Sequence, residues 1–101
     1  MPPSVIHKFD LAITDGAQFL PLSPGAQPLF VAVQQPGSGT IQLWARRIVD
    51  AQGRPPFAGK GRAFEVCGTG QPIAGKREYV GSVMDGQFVW HIMEIVAPSD
   101  A

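Results

Sequence analysis

The chain has a single cysteine, Cys67, among its 101 residues. One thiol cannot close an intrachain disulfide, nor supply a zinc site built on cysteine pairs. Long apolar runs are missing as well. None approaches the ~20 residues of a membrane-spanning helix, and Pro3, Ser4, His7 and Lys8 interrupt any apolar core of a leader segment. A reducing cytoplasm is the expected compartment. Charge is scarce: only 16% of residues carry it, against about 25% in an average globular domain. Eight cations balance eight anions, so no global field points toward nucleic acid or a membrane. A small domain has much surface to keep wet, and few charges to do it with suggest that a partner covers part of it.

What is abundant is punctuation. Twelve glycines and ten prolines leave little room for long helices. The apolar residues between them alternate. Val5 to Ile13 reads as a half-buried strand with Val5, His7, Phe9, Leu11 and Ile13 on one side. Turns at Asp15-Gly16 and Pro24-Gly25 flank a short strand over Gln18 to Leu22. Leu29 to Gln35 and Thr40 to Val49 form a hairpin around Pro-Gly-Ser-Gly. A loop of two or four residues there places Leu29, Val31 and Val33 with Gln42, Trp44, Arg46 and Ile48. Asp50 to Gly61 is a flexible loop rich in glycine, proline and basic residues, and Arg62 to Cys67 is a short strand. The expectation is one all-β domain over residues 1–101, a small antiparallel sandwich or partly open barrel of six to seven strands.

Arg77 to Met84 and Gln87 to Val96 are joined at Asp85-Gly86, a strong hairpin signal. A two-residue Asp-Gly loop pairs Met84 with Gln87, Gly81 with Trp90, Val80 with His91 and Arg77 with Glu94. Val83, Phe88, Trp90, Ile92 and Tyr79 then face the core, with Trp90 over Gly81. The opposite face carries Val80, Met84, Val89 and Met93 around His91 and is apolar too. A strand with one wet face would alternate cleanly, so this second face is expected to be an interface, in a homodimer.

Four features could carry chemistry. His91 has Ser82 as a diagonal neighbour and Glu78 farther along the same face, so a Ser-His-Glu set is thinkable. A mid-strand serine without a sharp turn or oxyanion donors argues against it, and a structural or interfacial histidine is the plainer reading. Arg46, Arg47, Arg54, Lys60 and Arg62 fall within seventeen residues; with the glycines of Ala-Gly-Lys-Gly-Arg they could hold an anion, although the spacing is not that of a phosphate loop. Thr69, between Gly68 and Gly70, marks a tight corner. Trp44 sits on a strand, where a tryptophan is more often core than stacking platform, and Gln34-Gln35 reads as a polar strand end. His7 is the only other histidine, and no spacing demands a metal or cofactor.

Several segments in one order carry a resemblance: Lys8-Phe9-Asp10-Leu11, Ser23-Pro24-Gly25-Ala26, Gln42-Leu43-Trp44-Ala45, Gly68-Thr69-Gly70-Gln71-Pro72-Ile73 and Val89-Trp90-His91 followed by Glu94. The chain resembles, over nearly its whole length, a family of short phage- and prophage-encoded proteins with no assigned activity. It departs from that pattern mainly in Gln52 to Gly61. The resemblance implies a small accessory phage protein in the cytoplasm of a bacterial host. From it follows the leading expectation, a non-enzymatic binding protein that occludes a host defence protein in the manner of an anti-CRISPR. His91, Met93 and Val89, or the basic loop, would present to that partner. The alternatives are a protein sequestering a nucleotide signal through Arg46, Arg54, Lys60 and Thr69 around Trp44, a weak hydrolase at His91, and a minor virion component.

Overall fold

The computed structural model describes residues 3–55 and 61–96. Seven strands follow in order: β1 (Ser4–Ala12), β2 (Gln18–Leu20), β3 (Gln27–Ala32), β4 (Thr40–Ile48), β5 (Arg62–Gly68), β6 (Arg77–Asp85) and β7 (Phe88–Ile95). No helix occurs among the described residues. One sheet has the order β1-β4-β3, the other β2-β5-β7-β6, and every pairing is antiparallel. The architecture is the all-β one that the alternation predicts, a small β-sandwich.

Alternation decides which side chains meet between the sheets. Along β1, Phe9 and Leu11 lie opposite Leu43 and Ile41 of β4. From the other sheet come Phe64 and Val66 of β5, Val83 of β6 and Ile92 of β7, closing a core in which Leu11, Leu22, Ile41, Leu43, Phe64 and Ile92 are fully buried. Arg47 belongs to this inner side rather than to a basic surface. It is buried, its guanidinium carbon lies 5.4 Å from the Phe9 ring centroid, and Nη2 donates to the Pro21 carbonyl at 2.6 Å. The aliphatic stem packs while the cationic head finds a ring and a carbonyl.

The sheets are also tied at their margins. The Gln18 side-chain amide acts as a surrogate strand against the end of β1: Ala12 N–H donates to Gln18 Oε1 at 2.7 Å, and Gln18 Nε2 donates to the Ala12 carbonyl at 2.8 Å. On the opposite margin β3 lies against β6, and the Gly37 N–H donates to the Asp85 carboxylate at 3.0 and 3.1 Å.

Two details differ from the sequence reading. The β3–β4 partners are Phe30 with Trp44, Val31 with Leu43, and Ala32 with Gln42. The connection therefore has odd rather than even length, which turns Val31 inward and Phe30 out. Burial of Val31 drives this choice. It seats on the bare backbone of Gly81 across the sandwich, where a Cβ would fall 2.5 Å from Val31 Cγ2. Gly81 is thus covered by Val31, not by Trp90. Second, Asp50 to Arg54 is an organised turn. Asp50 N–H donates to the Arg54 carbonyl at 2.7 Å, and the Asp50 carboxylate accepts from the Gln52 and Arg54 N–H groups at 2.9 Å. Residues 56–60, including Lys60, lie outside the described residues.

Candidate functional site

The β6–β7 ribbon positions the candidate site, and its turn sets the register. Asp85 pairs with Phe88, so the loop is Gly86-Gln87 rather than Asp85-Gly86. Gly86 has φ +60°, and among the described residues no non-glycine residue has positive φ. Glycine first, with an ordinary residue second, is the pattern of a type II′ turn. The pairs move accordingly: Met84 with Val89, Val83 with Trp90, Ser82 with His91, Gly81 with Ile92. Farther along, Tyr79 pairs with Met93, leaving Val80 as the extra residue of a bulge.

That bulge exchanges two side chains. Val80 turns inward and packs against the core, so it leaves the expected interface. Tyr79 turns out and is 65% exposed, although the alternation assigned it to the core. Glu78 now pairs with Glu94 and is no longer on the His91 face. The Ser-His-Glu grouping is therefore not assembled. Arg77 pairs with Ile95 and bonds Glu65 of β5 at 2.5 Å, not Glu94.

His91 instead sits inside a row of hydroxyls. Ser82 Oγ is 2.8 Å from His91 Nδ1, Thr69 Oγ1 is 2.9 Å from Nε2, and Tyr79 Oη is 2.8 Å from Ser82 Oγ. Both ring nitrogens are thus engaged, and among the described residues no carboxylate contacts the ring. Met84, 70% exposed, and the half-buried Val89, Met93 and Ile95 surround this row on the outer face of β6 and β7. Cys67 of β5 lies opposite His91. Burial pushes its thiol pKa up, and the charge and hydrogen bonding of Glu65 push it the same way. It is held as the unreactive thiol.

The basic residues do not form one cluster. Arg46 is on the outer face of the first sheet, its Nε donating to Ser4 Oγ at 2.9 Å. Arg54 pairs with Asp50 at 3.2 Å. Arg62 of β5 pairs within its own sheet with Glu94 of β7, with contacts of 2.6 and 2.7 Å, and donates to the Ser23 and Ala26 carbonyls at 3.1 and 2.5 Å. The hydrogen bond to Glu94 raises its pKa further above the ordinary arginine value. Trp44 is on the outer face of the first sheet against Phe30, ring centroids 5.7 Å apart. Among the described residues no group of three or more His, Cys, Asp or Glu is placed to hold a metal ion.

A cleft of about 770 Å³ adjoins the hydroxyl row at the end of the ribbon. The Thr14-Asp15 turn, the Gly68 to Gln71 corner and the Gln87 to Trp90 stretch enclose it. Thr69 belongs to both the cleft wall and the row. The Phe88 and Trp90 rings lie 5.9 Å apart at 23°, and the Gly68 N–H is capped by Gln71 Oε1. The sequence marked Thr69 as a corner but gave no sign that Asp15, Gln71 and Phe88 converge there. They come from two loops and the start of β7, whose meeting depends on the sheet pairing.

Compared with known proteins, residues 3–100 match a family model described as a domain of unknown function, DUF7352. No curated protein and no solved structure matches the chain.

Proposed function

Since the chain belongs to the DUF7352 family, whose description assigns no activity, we propose a function from its geometry: non-enzymatic protein binding through the outer face of β6 and β7. The observation that carries this reading is the open face itself. Tyr79 and Met84 stand out at 65% and 70% exposure, beside a histidine whose two nitrogens are already spoken for by Ser82 and Thr69. Flexible methionine side chains and an amphipathic tyrosine suit a docking surface. Rows of satisfied hydroxyls give it shape without a free base or nucleophile. Ser82 is also ill suited to attack. It lies within a paired strand, and its hydroxyl is shared with Tyr79.

The finer proposal is an accessory phage protein acting in the bacterial cytoplasm that occludes a host defence protein. It rests on the sequence resemblance together with this face. A second copy of the chain is the other occupant the face can take. Tagged protein is used to capture partners from bacterial lysate, in parallel with light scattering of the purified chain. Tyr79→Asp and Met84→Asp, both at exposed positions, are expected to abolish capture while leaving the melting temperature within a few degrees. Capture that survives both substitutions would place docking elsewhere. A dimer dissolved by the same substitutions would identify the second copy as the occupant. The nucleotide-sequestering alternative has less support, because Arg46, Arg54 and Arg62 each have their own partners in different parts of the fold.

A further inference from the structure

We propose that the cleft beside the hydroxyl row is a binding site for an uncharged sugar ring. Its size comes first. About 770 Å³ lies within the 300–1,000 Å³ range of small-molecule sites. Its charge comes next. Among the described residues Asp15 is the only charged one lining it, and none of them brings a cation to neutralise a phosphate or carboxylate. The cleft therefore disfavours nucleotides and other anions. Its chemistry then narrows the class. The Phe88 and Trp90 rings stack on one another at the cleft, and Phe88, 56% exposed, offers an apolar wall. Around this wall stand a carboxylate (Asp15), two amides (Gln71 and Gln87) and two hydroxyls (Thr14 and Thr69).

A pyranose ring has the matching construction. One face presents C–H groups, which settle against an aromatic wall. The rim presents hydroxyls, each able to donate to a carboxylate or amide oxygen and accept from an amide N–H. Gln71 holds its Oε1 on the Gly68 N–H, which orients its NH₂ as a fixed donor. The site adjoins the protein-docking face, sharing Val89 and, through Thr69, the hydroxyl row, but neither Tyr79 nor Met84 lines it.

The chain has two tryptophans, and only Trp90 lines the cleft. Trp44, on the outer face of the other sheet, is an internal control. The experiment is an NMR titration of the intact chain, following the two indole N–H signals. Glucose, galactose, N-acetylglucosamine and their short oligomers are the probes, and adenosine monophosphate is the anionic comparison. The expected result is a saturable shift of the Trp90 signal with at least one sugar, Trp44 staying still. Phe88→Ala should weaken that binding about tenfold, and Asp15→Asn about fivefold. Both residues are at the surface, so the fold is expected to survive, as an unchanged Trp44 signal would show. The proposal is overturned if no sugar moves Trp90, if Phe88→Ala binds as well as the parent chain, or if the nucleotide binds in place of the sugars.

Discussion

Replacing Arg62 by alanine removes a guanidinium that serves two partners at once. One is Glu94, held by two contacts of 2.6 and 2.7 Å, with both side chains under one-fifth exposed. The other is the turn between β2 and β3, whose Ser23 and Ala26 carbonyls accept from Nη1. The alanine variant leaves a carboxylate and two carbonyls half-buried without their donor. Breaking a buried pair from one side costs roughly 3–5 kcal/mol, and the residual exposure here favours the lower end, about 3 kcal/mol. In a domain near 100 residues each kcal/mol moves the midpoint by about 4–8 °C, so Arg62→Ala should melt roughly 12–24 °C below the parent. Circular dichroism melts and urea titrations give the two independent readings. The charge-free pair Arg62→Met with Glu94→Leu should recover most of the loss, since it removes the unpaired charge along with its partner. A single Arg62→Ala variant melting within about 3 °C of the parent would refute the assignment of Arg62 as a structural clamp. It would return the residue to the pool of surface cations available for a ligand.

Three further outcomes follow from other contacts. Gly81→Ala should destabilise by about 1–3 kcal/mol through overpacking against Val31, and Val31→Ala in the same chain should relieve part of it, as a double-mutant cycle in urea would show. Gly86→Ala, forced into φ +60°, should cost about 1 kcal/mol, and Gly86→Asn less. Cys67, with its pKa raised by burial, should resist iodoacetamide until the pH passes the ordinary thiol range, and Glu65→Gln should lower that onset. The native state favours the protonated thiol, so its contribution is full below the unfolded thiol pKa and is lost as pH rises through the native value.

Period-two alternation made the strands legible, because burying one face of a strand leaves a pattern that turns and glycines only interrupt. β1 shows this best, with Phe9 and Leu11 inward as the alternation places them. Register was less legible. Asp85-Gly86-Gln87 is compatible with two turn placements, and the choice between them rests on which residue takes positive φ. The Val80 bulge left no local sign; its cause is the seat that Gly81 offers Val31 across the sandwich. One extra residue there moved Tyr79 to the outer face and Glu78 off it. The row around His91 was legible only as a nearby serine. The cleft was not legible at all, since its walls are brought together by pairings between strands distant in sequence. The span of basic residues misled for the opposite reason. Alternation and salt bridging scatter neighbours in the chain to opposite sides of the molecule.

The row Tyr79–Ser82–His91–Thr69 has a property that no member has alone. Every hydroxyl in it can give or take a proton, and a neutral imidazole must do one at each nitrogen. If Nε2 carries the hydrogen, the donors run from tyrosine toward threonine; if Nδ1 does, they run the other way. Both arrangements satisfy every link, so the row is a one-bit memory shared across two strands and a corner. Whatever touches Thr69 inside the cleft casts a vote on which way Tyr79 points its hydrogen to a partner outside.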